Sequence, residues 1–105
     1  MNQYEYNRLK KKYPDHVFVI LNNQDNQEKY IVKNGYKVVD FMKKFKSKYS
    51  KDHYLVFSCQ SNRNMLLYTN DTIKDVYDRE CKDGEKILMI NLYIEEIKED
   101  EWILI

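Results

Sequence analysis

The sequence predicts an α+β fold in which short strands alternate with helices around one sheet, and three features carry that prediction. His16-Val17-Phe18-Val19-Ile20-Leu21 is an uninterrupted run rich in β-branched and apolar residues, as expected of a strand covered on both faces. Val38, Phe41, Met42, Phe45 and Tyr49 recur at helical spacing, with Lys43, Lys44 and Lys46 between them, which makes one amphipathic helix. Polar turn signals separate these segments: Asn22 to Gln27, Asn34-Gly35 and Asp83-Gly84.

The elements follow in order. Tyr4 to Lys12 is polar, with Tyr6, Leu9 and Tyr13 on one helical face, and Pro14 stops it because the residue before a proline avoids the helical region. The doubly apolar strand from His16 comes next. Lys29-Tyr30-Ile31-Val32-Lys33 forms a second strand, whose charged ends suit an edge position that must resist unwanted pairing. After the amphipathic helix, Tyr54 to Cys59 predicts a third strand and Met65-Leu66-Leu67-Tyr68 a short fourth one. Asp71-Thr72 caps a short helix from Ile73 to Glu80, with Ile73, Val76 and Tyr77 inward, and Ile87 to Ile94 reads as a long final strand.

A hairpin, a crossing helix and a final buried strand make the β-grasp arrangement of ubiquitin-like proteins, here with an additional N-terminal helix. The first and last strands then lie side by side at the sheet centre. Val17, Val19 and Leu21 face the main helix, while Phe18 and Ile20 face the N-terminal helix. The domain reading is a ubiquitin-like unit over residues 1–94 and an acidic tail over 95–105.

Charge and composition exclude several functions. Eighteen basic and 17 acidic residues leave a net charge of +1, so bulk charge selects no partner. The basic residues crowd the first half and Glu95, Glu96, Glu99, Asp100 and Glu101 the end. No RNA-binding aromatic motif, zinc-finger spacing or helix-turn-helix accompanies the basic half, so nucleic acid is not an expected partner. Cys59 and Cys81 lack a matched Cys/His set, so neither a metal site nor a disulfide is expected, and no cofactor is implied. His16 and His53 sit in unlike settings and neither cysteine has a catalytic neighbour, so the chain is not expected to be an enzyme. No apolar run is long enough to span a bilayer and the start lacks signal-peptide character, so a cytoplasmic protein without direct membrane insertion is expected.

Lys11-Lys12-Tyr13-Pro14-Asp15-His16-Val17-Phe18-Val19-Ile20 resembles the Lys-Lys-Tyr-Pro-Asp-Arg-Val-Pro-Val-Ile segment of the Atg-eight and GABA-receptor-associated-protein family of ubiquitin-like autophagy modifiers. Lys29-Tyr30-Ile31-Val32 is similar to that family's Lys-Tyr-Leu-Val strand, and Thr72 to Tyr77 to its short third helix, so the resemblance runs from about Asn7 to Tyr93. The chain departs from the pattern in three ways. It has one N-terminal helix where two are usual. Its only glycines are Gly35 and Gly84, so the family's C-terminal glycine is missing and lipidation is not expected. Lys33 and Lys44 stand where the family's second pocket is apolar.

The resemblance implies recognition of short peptides with an aromatic residue, two variable residues and an aliphatic one, the LIR/AIM type, presented by autophagy receptors or adaptors. An extended peptide would add to the free edge of Lys29 to Lys33, with backbone pairing giving affinity and pockets giving selectivity. Carried over by position, the aromatic pocket is lined by Leu9, Phe18, Ile31 and either Ile87 or Leu88, with Leu88 preferred, and has Lys29 at its rim. The aliphatic pocket involves Tyr30, Val32, Tyr36 and Phe41. Lys10, Lys11, His16, Lys29 and Lys48 form a basic rim for acidic residues of the peptide. Without the resemblance, the same aromatic and aliphatic residues read simply as core and the lysines as a solvated face.

Glu99-Asp100-Glu101-Trp102-Ile103-Leu104-Ile105 itself has the acidic, aromatic, two-residue, aliphatic form, with Trp102 and Ile105 as its anchors. Reaching the ligand position from the last strand requires roughly 14 Å at about 4.8 Å per strand, a span the segment from Glu95 to Glu101 can cover. The tail is therefore expected in the groove of its own chain or of a second copy, the alternatives being a Trp and Ile that patch the sheet, a fused ligand segment or a degenerate lipidation tail. Two other functions compete with peptide capture: a conjugated ubiquitin-like modifier with a longer C-terminus, and a basic scaffold that binds microtubules through its lysine-rich helices. Recruitment to autophagosomal membranes is the localisation that the family resemblance adds.

Overall fold

The structure, a computed structural model, describes residues 2–23, 26–48, 53–60, 64–66, 70–81 and 86–96. Its elements are helix α1 (Gln3–Lys12), strands β1 (His16–Asn23) and β2 (Asn26–Lys33), helix α2 (Val38–Lys46), strand β3 (His53–Cys59), helix α3 (Ile73–Glu80) and strand β4 (Leu88–Glu96). Among the described residues the strands form one four-stranded sheet in the order β2-β1-β4-β3. β1 and β2 pair as an antiparallel hairpin from His16↔Lys33 to Asn23↔Asn26, whereas β1 and β4 run parallel, with Val19 opposite Leu88 and Leu21 opposite Ile90. The two central strands are the first and the last in the chain, which is the α+β, ubiquitin-like arrangement that the element order predicts.

α1 starts where Asn2 accepts a hydrogen bond from the Glu5 N–H at 2.8 Å, satisfying an amide that lacks an intrahelical partner. Glu5 in the first turn and Lys10, Lys11 and Lys12 in the last are placed as the helix dipole favours. None of its residues is fully buried, so α1 is held by one face rather than embedded.

α2 buries Val38, Phe41, Met42 and Phe45, the stripe expected from spacing; Tyr49 lies outside the described residues. Together with Val17, Val19, Leu21, Phe57, Ile90 and Leu92 they form a single core against one sheet face. α3 completes the cover with Ile73 and Val76. Its start carries a reciprocal cap: Thr72 Oγ1 accepts from the Asp75 N–H at 3.1 Å, and Asp75 Oδ2 accepts from the Thr72 N–H at 3.0 Å. Backbone bonds from Val38 N–H to Asp71 O and from Ile73 N–H to Tyr36 O, both 2.8 Å, tie the starts of α2 and α3 together.

Two boundaries differ from expectation. The fourth strand predicted at Met65–Tyr68 is reduced, among the described residues, to an isolated bridge between Ser58 and Met65 and a bond from Leu66 N–H to Phe57 O at 2.8 Å; Leu67 and Tyr68 lie outside the described residues. β4 runs through Glu96, two residues past the expected end, because β3 continues to pair with it as far as His53↔Glu96.

Candidate peptide groove

β2 is an edge strand: on the side away from β1 no strand pairs with it among the described residues. Among the described residues its outward N–H and C=O groups therefore have no ladder partner, which is the condition for strand addition. Exposure alternates along it. Tyr30 and Val32 are half-buried toward α2, while Lys29, Ile31 and Lys33 are exposed on the α1 side.

On that α1 side lies an apolar hollow of about 160 Å³ walled by Leu9, Phe18, Ile20, Ile31 and Ile87, with Lys29 beside it. Its construction follows from register. Phe18 is opposite Ile31 and Ile20 opposite Lys29, so these side chains share the face that α1 overhangs. Ile31 is 43% exposed and Phe18 is 5% exposed. The ring of Tyr6 meets Phe18 edge-on at 5.4 Å between centroids, holding α1 over the hollow.

Leu88 is not part of this wall. It pairs with Val19 on the core side and is 1% exposed, so strand alternation turns the preceding residue, Ile87, to the α1 side. Ile20 and Glu5 also line the hollow, although sequence reasoning did not assign them. Both were findable: Ile20 is two residues beyond Phe18 on the same strand face, and Glu5 one helical turn before Leu9.

On the α2 side, Tyr30 packs edge-on against Phe41 and Phe45, with centroids 6.1 Å and 5.5 Å apart. Phe41 is 2% exposed and belongs to the core, because the Tyr30 ring and helix α2 cover it. The surface left for an aliphatic side chain is therefore Tyr30, Val32 and the exposed Tyr36, with the exposed Lys44 on α2, whereas the exposed Lys33 is on the α1 side of the strand. The Tyr30 hydroxyl donates to the Glu28 carboxylate, and its acidity is suppressed to a pKa of about 12, mainly by burial and further by that carboxylate.

The expected basic rim divides. Lys29 borders the hollow and Lys11 is exposed at the end of α1. Lys48 holds its ammonium 5.2 Å from the Phe45 ring centroid. Lys10 instead reaches across Phe18, 5.7 Å from its ring centroid, and donates to His16 O at 2.8 Å. Lys10 and His16 line a second cavity behind Phe18. Trp102 and Ile105 lie outside the described residues.

Nucleophilic chemistry finds little support in the one fully buried thiol. Cys59 is pushed up to about 11, first by burial and then by the nearby Glu80 charge, which keeps it protonated at neutral pH. Among the described residues no group of His, Cys, Asp and Glu gathers in the manner of a metal site. No helix among them is long and apolar enough to cross a membrane.

No protein-family profile and no curated protein matches the sequence. The architecture is nevertheless similar to that of the crystal structure of Trypanosoma brucei ATG8, with a TM-score of 0.68 over 91% of this chain and 87% of that one, at 17% sequence identity. The likeness establishes for this chain the ubiquitin-like fold of that ATG8 structure.

Proposed function

We propose that this protein is an autophagy-related peptide-binding module that captures extended segments of the aromatic-x-x-aliphatic type by adding them as a further strand to β2. The observation that carries this reading is the coincidence of a strand edge unpaired among the described residues with an apolar hollow beside Ile31, one of that strand's own exposed side chains.

An aromatic side chain brings roughly 150–250 Å² of surface to such a site, and the hollow of Leu9, Phe18, Ile20, Ile31 and Ile87 is shaped from apolar walls to receive it. Glu5 on the wall supplies an acceptor that an indole N–H needs when it leaves water. Three residues on, strand alternation turns the peptide's aliphatic residue to the α2 side, toward Tyr30, Val32 and Tyr36. Lys29 and Lys11 favour acidic residues next to the motif, chiefly by speeding encounter. In this reading the function is recognition rather than catalysis, exercised in the cytoplasm and at autophagosomal membranes through bound partners.

The segment ending in Trp102 and Ile105 has the same pattern as the ligand and competes for the groove, in its own chain or in a second copy. The test is calorimetric titration of an acidic Trp-x-x-Ile peptide into the full chain and into a chain lacking residues 102–105. Micromolar binding, about −8 kcal/mol, that tightens on deletion supports both statements. Equal affinities remove the competing tail, and no binding to either chain removes the groove.

A further inference from the structure

The second cavity, about 240 Å³, lies on the far side of Phe18 from Ile31, between α1, the start of β1, the turn after β2, and α3. Lys10, Lys74 and Lys86 all contribute to its wall, and among the described residues no Asp or Glu does. Lys10 Nζ donates to His16 O at 2.8 Å, Lys74 Nζ to Asp78 Oδ1 at 2.7 Å and Lys86 Nζ to Gln3 Oε1, and the three ammoniums also lie over the Phe18, Tyr77 and Tyr6 rings. An ammonium has three N–H bonds, so donors remain on all of them. The Asp78 pair is exposed on both sides, hence weak and easily exchanged for a better anion.

An independent observation points to the same place. Among the described residues, the buried side-chain atoms that find no hydrogen-bond partner are His16 Nδ1 and Asn34 Oδ1, and both residues line this cavity. Buried polar atoms are ordinarily satisfied, and a cluster of orphans around a roomy cavity marks a polar occupant. The wall thus offers concentrated positive charge, an imidazole nitrogen able to donate in its N–H form, and an amide oxygen that can only accept.

We infer that this cavity binds a phosphate group, either as free phosphate or as the monoester of a small molecule or lipid headgroup. A phosphate at neutral pH matches the wall on every count. Its P–O⁻ oxygens accept from the lysines and from His16 Nδ1–H, and in its monoanionic form its P–OH donates to Asn34 Oδ1. Sulfate carries the charge without the donor, so it satisfies the lysines and leaves Asn34 unpaired. The walls come from segments far apart in sequence, Lys10 to Phe18, Asn34, Lys74 to Tyr77 and Lys86, so an occupant also links α1 to the ubiquitin-like core.

The test follows the backbone amides and imidazole nitrogens of the full chain by NMR during addition of inorganic phosphate, at fixed pH and ionic strength. The expected result is saturable shifts centred on His16, Asn34 and Lys74, several-fold weaker with sulfate and at least tenfold weaker in the Lys74→Gln, Lys86→Gln double variant. Neither substituted residue lines the hollow beside Ile31, so the double variant binds the Trp-x-x-Ile peptide as the parent does. Conversely Ile31→Asp retains phosphate binding, so failure of either site is read separately. Flotation with phosphatidylcholine vesicles containing a phosphoinositide, but not with phosphatidylcholine alone, assigns the source to a lipid headgroup; phosphate binding without flotation assigns it to a soluble phosphate. Shifts that do not saturate, that are equal for sulfate, or that survive unchanged in the folded double variant overturn the inference.

Discussion

The Tyr6 and Phe18 rings meet edge-on, with centroids 5.4 Å apart and planes at 85°, and this contact joins a helix with no fully buried residue to the sheet. Phe18 lies outside the main core cluster yet is 5% exposed, so the cover over it comes from α1 and its own sheet face. The same ring separates the hollow beside Ile31 from the lysine-lined cavity.

Phe18→Ala is therefore expected to destabilise the fold by about 3–5 kcal/mol, and to loosen α1 before the rest. The measurement is denaturant unfolding combined with hydrogen exchange. Amides of α1 should lose protection first, while those of α2 and β4 retain theirs. Uniform loss of protection would show that α1 is not a separate layer.

Thr72→Ala removes one half of the cap on α3 and should cost about 1 kcal/mol. Its partner Asp75 has its acidity strengthened, first by the Thr72 backbone N–H and then by the Thr72 hydroxyl. The folded carboxyl titrates below the unfolded one. The stabilisation it gives is complete above the unfolded carboxylate range and is lost as pH falls through the folded value. Exchange protection in α3 should decline on acidification in the parent and depend less on pH in Thr72→Ala.

Tyr30 should respond at the opposite end of the scale. Its hydroxyl is raised from 10.0 to about 12 by burial and by Glu28. The resulting stabilisation is full below the unfolded value and disappears as pH rises through the folded one. Burial raises Tyr77 as well, so tyrosinate absorbance should show a late phase to which both contribute, and Tyr30→Phe should diminish it.

How much of this was legible beforehand depends on the distance over which each feature is encoded. α3 was readable to the residue, because Thr72 and Asp75 place its cap locally and Ile73 and Val76 its buried face. The doubly covered β1 was readable from its own apolar run. The choice between Ile87 and Leu88 was not, since it depends on which residue of β4 falls opposite Val19, a pairing across most of the chain. Phe41 looked like a groove wall because its helix position is correct. Only the Tyr30 ring resting on it, fixed by the hairpin register, shows that it is covered. Lys10 was placed at the groove by its neighbours in sequence, but the His16 carbonyl draws its ammonium to the other side of Phe18.

The central claim is that the outer side of β2 accepts a strand, and it is tested most directly by amide hydrogen exchange along the sheet with and without the Trp-x-x-Ile peptide. Alternate amides between Asn26 and Lys33 should gain protection on peptide addition while β3 does not change, and Ile31→Asp, exposed enough to leave the fold intact, should abolish the gain. Protection appearing along β3 instead, or a gain on β2 that persists in Ile31→Asp, would contradict the account.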